Sequence, residues 1–294
     1  MQALQVASRI AINNILLATD FSRTSKAALP YAAALAGWYG AKIFTVHVVP
    51  YEPYVVVPTE GPLPIDEDVV WNRAKQELEQ FPPAGCFGGV QHEEILRRGE
   101  LWAAISDVIR AKNIDLIVMG THGRHGFKKL MLGSEAEKIY RQATCPVLTV
   151  GPHVAQPTQT AWQAKRILFA TDFSDASLRA LPFAMSLAEE NQASLTLVQM
   201  IPLVPWQYKE AIEENTRKKL HDLIPAEAWC KPEFVVGFDF PPEGIVGVAR
   251  EREVDLIVMG VRKAAAAAIK AHLPWSTASA VVSAAPCPVL TVRV

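Results

Sequence analysis

Residues 14–36 align without gaps with residues 166–188 and agree at 14 of 23 positions, including Ala-Thr-Asp-Phe-Ser and Ala-Leu-Pro. The correspondence resumes where Ile114 to Gly120 match Val254 to Gly260, and it closes with Cys-Pro-Val-Leu-Thr-Val in both halves, starting at Cys145 and Cys287. A duplication on this scale restricts the chain to two copies of one architecture. Each copy runs to about 140 residues, enough for its own core, whereas solenoid units run to only about 20 to 50. The expected organisation is a domain over 1–151, a linker over 152–164 and a second domain over 165–294.

Within the first copy the apolar period changes from 2 to 3.6 and back. It predicts a strand near 14–19, a helix near 23–39 and a strand near 42–49. Pro50, Pro53, Pro58, Pro62 and Pro64 then deny regular structure up to Ile65, after which Asp66 to Phe81 patterns as a helix with acids in its first turn. A strand near 90–97, a helix near 101–112, a strand at 114–119, a glycine-rich loop, a helix near 134–142 and a strand at 146–150 complete the unit. Strands alternating with helices in this way imply a parallel sheet covered by helices on both faces. The second copy is shorter, because Pro202 is followed almost at once by the helical stretch Trp206 to Leu223.

The chemistry concentrates after the strand at 114–119, in Gly120-Thr-His-Gly-Arg-His-Gly-Phe-Lys-Lys-Leu-Met-Leu-Gly-Ser134. Strand, glycine loop and helix N-terminus together make an anion site: free N–H groups and the helix dipole favour phosphate, and glycine removes the Cβ that would hold it away. His122, Arg124, His125, Lys128 and Lys129 add basic side chains, of which His122 and Arg124 are the candidates for phosphate and the two lysines are read as solvated. The chain contains no G-x-x-x-x-G-K-[ST] loop, and no G-x-G-x-x-G opens a helix after the first strand. In open parallel sheets the ligand crevice lies at the carboxyl ends of the strands, where Asp20, His47-Val48, Gly99 and Gly120 fall.

Gly120-x-x-Gly123, nine residues, then Gly133-Ser134 resembles the nucleotide motif of the ATP-binding universal stress proteins. Ile15-Leu16-Leu17-Ala18-Thr19-Asp20-Phe21-Ser22 is similar to that family's first strand, and Cys145-Pro-Val-Leu-Thr-Val150 to its last. The resemblance implies tandem α/β Rossmann-like domains, each an open five-stranded parallel sheet in the order 3-2-1-4-5. It also implies ATP, with Mg²⁺ held through the phosphates. On this reading Asp20 binds ribose, the Val48 backbone reads the adenine edge, Gly120 and Gly123 approach ribose and phosphate, and Gly133 and Ser134 donate to the phosphates. Asp20 also has an ordinary alternative as a local cap, since Asp172 repeats it. Two positions depart from the family pattern: Glu135 and Ala136 stand where relatives often carry a small apolar residue and then a hydroxyl.

The second copy of the motif is dismantled, with Lys263 in place of the second glycine and Trp275 in place of the third. One nucleotide per chain, held in the first half, is therefore expected. The family pairs its domains through the last strand, so the second domain is expected to serve as a pseudo-dimer partner for the first, with a homodimer of chains and an unidentified protein partner as further partners.

A net charge of −1 with 50% hydrophobic residues excludes a broad electrostatic footprint for nucleic acid or an anionic membrane. No apolar run reaches about 18 residues and no leader pattern opens the chain, so a cytoplasmic protein is expected. Cys86, Cys145, Cys230 and Cys287 form no C-x-x-C pair and are expected as free thiols. The seven histidines show no metal-ligand spacing. The reading is a stress-response regulator that binds ATP with little turnover. A slow ATPase or phosphotransferase using the same pocket is the alternative, and an adenine-cofactor carrier the third.

Overall fold

The computed structural model describes residues 10–51, 54–57, 61–64, 66–121, 134–155, 162–202, 204–262 and 277–293. The first half contains β1 (Asn14–Ala18), α1 (Arg23–Ala27), α2 (Leu29–Tyr39), β2 (Lys42–Val49), β3 (Tyr54–Val57), β4 (Gly61–Pro64), α3 (Glu67–Glu79), β5 (His92–Arg98), α4 (Leu101–Ala111), β6 (Leu116–Gly120), α5 (Ser134–Gln142) and β7 (Val147–Val150). The second contains β8 (Arg166–Ala170), α6 (Asp175–Leu178), α7 (Leu181–Asn191), β9 (Ser194–Met200), a 3₁₀ turn at Trp206–Tyr208, α8 (Lys209–Asp222), β10 (Glu233–Gly237), α9 (Pro241–Glu251), β11 (Leu256–Val261), α10 (Thr277–Ala284) and β12 (Val289–Arg293).

In the first half the main strands lie in the order β5-β2-β1-β6-β7, and in the second in the order β10-β9-β8-β11-β12, each the expected 3-2-1-4-5. All neighbours in these two orders are parallel. Such strands are buried on both faces, which explains their continuous apolar runs. Along β1, Ile15 and Leu17 enter one core layer and Leu16 the other, all fully buried. Both layers run through both halves.

The halves meet at β7 and β12, which pair antiparallel through Thr149 with Val289, Leu148 with Leu290 and Val147 with Thr291. The result is one sheet of ten strands. Each copy of the terminal repeat contributes a buried threonine that donates across the seam, Thr149 Oγ1 to Val289 O at 3.1 Å and Thr291 Oγ1 to Val147 O at 3.2 Å. The pairing expected of the last strands is thus present, and it covers an edge that would otherwise invite association.

Two predictions require correction. The helix expected over 23–39 is two helices, because Pro30 has no N–H to donate to the preceding turn; α1 stops at Ala27 and Pro30 sits in the first turn of α2. Pro182 makes the same break between α6 and α7. The proline-rich stretch is also not without regular structure, since β3 and β4 form a separate antiparallel hairpin there. Proline excludes only strand positions whose N–H must face a partner, so a hairpin can carry it where the N–H would point away.

Trp162, at the end of the linker, is buried on α2, edge-on to Tyr31 at 5.0 Å and stacked on Trp38 at 5.3 Å. Tyr31 Oη donates to Ala155 O at 3.1 Å, so both ends of the described linker are tied to the first half. The four cysteines are free thiols; burial pushes Cys145 and Cys287 up to about 12, as befits inert core residues. Among the described residues no helix is long and apolar enough to cross a membrane.

Candidate functional site

Three adjacent strands in the order β6-β1-β2 bring Gly120, Asp20 and Val48 to one edge. The turn that presents Asp20 is built by its own neighbours. Thr19, buried beyond the end of β1, donates its hydroxyl to Ser25 Oγ at 3.1 Å and accepts from the Phe21 N–H at 3.0 Å. Asp20 Oδ1 accepts from the Ser22 N–H at 3.1 Å, and Ser22 caps α1 by accepting from the Ser25 N–H at 3.2 Å. Phe21 takes φ +63°, a left-handed conformation that a bulky residue adopts only where the surroundings impose it. Its ring lies 4.4 Å from that of His47 and edge-on to Phe81 at 5.7 Å. His47 Nδ1 in turn donates to the Thr19 carbonyl at 2.8 Å. The end of β1 is therefore locked to the end of β2 by His47, which the sequence places at the crevice end of its strand without assigning it a role.

The second half repeats this turn. The Thr171 and Ser177 hydroxyls lie 2.9 Å apart, the Ser174 N–H donates to Asp172 Oδ1 at 2.9 Å, and Phe173 takes φ +59°. Burial alone would raise the Asp172 carboxyl. The Ser174 hydroxyl and N–H, Ser177 and the Arg262 guanidinium 3.5 Å away outweigh it and hold the group below the ordinary carboxylate range. In both copies the aspartate closes a turn onto the N–H of the next-but-one serine, and that serine, Ser22 or Ser174, rather than the aspartate caps the helix.

Gly120 has a duty that the motif reading did not assign. A Cβ there would stand 2.6 Å from both the carbonyl carbon and oxygen of Thr24, so α1 crosses the end of β6 at backbone distance. At Gly260 the added atom would meet the Ala176 carbonyl more closely still. Close helix-to-strand packing accounts for this glycine in both halves, and so for its survival in the half whose motif is broken.

Val48 lies one residue before the end of β2, opposite Arg97 in β5, and is half-buried against the core layer beneath. Its counterpart by strand register is Met200, opposite Gly237 in β10. Met200 is buried, and its thioether occupies the volume that side chains at Gly237 and Gly244 would need; Cβ atoms there would fall 2.8 Å from its Cε and 2.9 Å from its Cγ respectively. Two glycines in the second half thus seat a methionine at the position equivalent to the candidate adenine contact.

Ser134 opens α5, which follows β6 and returns to β7, placing its N-terminus on the carboxyl side of the sheet. The β6–β7 ladder continues one step past Gly120, with the Thr121 N–H donating to Val150 O at 3.1 Å. His122, Gly123, Arg124 and Gly133 lie outside the described residues, as do Lys128, Lys129 and the altered motif from Lys263 to Trp275.

A model of the universal stress protein family matches residues 11–151 and again 163–293. The chain belongs to the universal stress protein family. Universal stress protein MJ0531 of Methanocaldococcus jannaschii is 33% identical over 137 residues, covering 46% of this chain and 80% of that protein. Universal stress protein YxiE of Bacillus subtilis is 34% identical over 145 residues, covering 47% of this chain and 98% of that protein. Both relatives therefore correspond to about one half of this tandem chain. The crystal structure of a universal stress protein from Archaeoglobus fulgidus superposes with a TM-score of 0.71 at 21% identity, covering 97% of this chain and 99% of that one, which supports the whole two-domain fold.

Proposed function

We propose that this universal stress protein binds one ATP with Mg²⁺ in its first half and acts as a regulator whose surface depends on occupancy. The observation that carries this reading is the contrast at the end of the second strand, where Val48 stays half-buried opposite Arg97 while Met200 is buried in the core on Gly237 and Gly244. Asp20 would take the ribose hydroxyls, the Val48 backbone the adenine edge, and the α5 N-terminus at Gly133 and Ser134 the phosphates, with Gly123, His122 and Arg124 beside them. Mg²⁺ would be held by the phosphates themselves. N–H donors and basic side chains of this kind stabilise ground-state triphosphate, and no residue of the motif is assigned to orient attacking water, so binding is expected to outlast turnover.

Calorimetric titration of nucleotide-free protein with Mg-ATP tests the reading. One site per chain is expected, weakened about tenfold or more by Asp20→Ala, which corresponds to about 1.4 kcal/mol or more, and abolished by Gly133→Trp. Two equivalent tight sites would overturn it. A metal-dependent ATPase rate above about 1 s⁻¹ that vanishes in Gly133→Trp would make the protein an enzyme instead.

A further inference from the structure

The hairpin of β3 and β4 stands apart from the ten-stranded sheet, and among the described residues each of its strands has the other as its one hydrogen-bonded neighbour. Two strands alone are marginal in water, and stability ordinarily needs a third strand or a packing face. Its register pairs Tyr54 with Pro64, Val55 with Leu63, Val56 with Pro62 and Val57 with Gly61. Antiparallel pairs alternate between those that exchange N–H···O bonds and those that do not. Proline cannot donate, so the pairs holding Pro62 and Pro64 are the non-bonded ones. The N–H and C=O groups of Tyr54 and Val56 consequently point away from β4. The outer edge of β4 has no donor at Pro62 or Pro64, whereas the outer edge of β3 has one at each corresponding position. One edge of the hairpin therefore lacks donors that the other retains.

The remaining sheet edges are blunted. In β5 five of seven residues are ionisable, His92, Glu93, Glu94, Arg97 and Arg98, and charged edges resist pairing. In β10 the Phe234 carbonyl accepts a hydrogen bond from Arg217 Nη1 at 2.9 Å. The last strands β7 and β12, whose sequences would suit association, are consumed by pairing with each other. Large exposed apolar side chains flank the hairpin on both sides in the chain, with Tyr51 69% and Val69 61% exposed.

We infer that the outer edge of β3 is a chain-to-chain interface, in which two copies add β3 to β3 antiparallel about a two-fold axis at Val55. The donor and acceptor pairs at Tyr54 and Val56 are two residues apart, so Tyr54 of each copy meets Val56 of the other and every outward group on the two residues is satisfied by its own kind. Such self-complementarity is the mark of an isologous contact. The product is a four-stranded sheet, β4-β3-β3-β4, closed at both outer edges by proline. Its strands are Tyr-Val-Val-Val and Gly-Pro-Leu-Pro, and the first is rich in β-branched residues that favour extended pairing. The second half carries no such hairpin between β9 and α8 in its described residues, so one such interface forms per chain.

Sedimentation of the full chain tests this. At high concentration the wild type is expected at twice the 32.2 kDa of one chain. Val56→Pro, which removes an outward N–H at a position equivalent to those already filled by proline in β4, is expected to return it to one. A second measurement does not depend on that variant folding normally. Across the two-fold, Val55 faces its own copy in a non-bonded pair with Cα atoms about 4.5 Å apart, within disulfide range, so Val55→Cys should give a covalent dimer under mild oxidation. Val57→Cys, displaced from its copy by about 13 Å along the strands, should not. Cys86 and Cys230 are present in both variants and cancel from the comparison. A monomeric wild type, a dimeric Val56→Pro, or equal cross-linking at the two cysteine positions would each overturn the inference, and none of them bears on nucleotide binding in the first half.

Discussion

The two halves share a backbone plan and differ in what they do with the carboxyl end of the second strand. In the first, Val48 faces Arg97 across the ladder and remains half-buried; in the second, Met200 faces Gly237 and is packed down onto it and onto Gly244. The turns carrying Asp20 and Asp172 are nearly the same, down to the left-handed phenylalanine that follows each. What a duplicated domain keeps is therefore the part that its own folding requires. The carboxyl end of the second strand differs instead, with His47 and Val48 in one half and Gln199 and Met200 in the other.

The largest effect that would test this division is at the paired glycines. If Gly120 and Gly260 serve packing, then Gly120→Ala and Gly260→Ala should each destabilise the protein by about 3 kcal/mol or more, since the added methyl meets backbone that cannot swing aside. Urea denaturation would measure it, with Gly260→Ala the worse of the two. A Gly120→Ala protein of wild-type stability that had lost only nucleotide affinity would assign that glycine to the ligand and break the comparison.

A smaller effect is expected from copying the second half into the first. Val48→Met introduces a thioether where the register offers Arg97 in place of Gly237, so it has no prepared seat. It should project into the crevice and weaken Mg-ATP binding about tenfold or more, about 1.4 kcal/mol, while the melting temperature moves little. Unchanged affinity in calorimetry would show that the contrast between Val48 and Met200 is unrelated to the ligand.

The smallest effect concerns acid. His92 in β5 lies 2.9 Å from the Thr45 hydroxyl, and burial together with the nearby Lys42 ammonium lowers its pKa below the ordinary 6.5. The folded state then binds fewer protons than the unfolded chain over the interval below that value, so stability should fall as pH drops from about 6.5. The register places Pro232 at the equivalent point of the second half, so this sensitivity belongs to the first alone. His92→Gln should flatten the dependence of the urea midpoint on pH between about 6.5 and 5. A slope of unchanged steepness would place the titration elsewhere.

Much of the architecture could be read from the amino acids because its signals are local or repeated. The duplication implied two units, the apolar runs implied strands buried on both faces, and the terminal Cys-Pro-Val-Leu-Thr-Val repeat marked the strands that join them. Proline was harder to interpret. Pro30 breaks a helix that the periodicity drew as continuous, and Pro62 and Pro64 lie in a hairpin where a structureless loop was expected, because the effect of a missing N–H depends on which way that group would have pointed.

The candidate site divides in the same manner. Asp20, Val48 and Gly120 were legible as strand-end residues, since the order of strands and the crevice rule place them together. That Gly120 admits α1, that His47 ties the end of β1 to β2, and that Met200 packs onto Gly237 and Gly244 were not legible. Each depends on a distance between segments far apart in the chain. A one-dimensional pattern records residue type and spacing, and so determined the family, the two domains and the strands that carry the site. Which glycine makes room for a ligand and which for a helix is decided only when backbones approach, because an absent Cβ leaves the same letter in the sequence for either purpose.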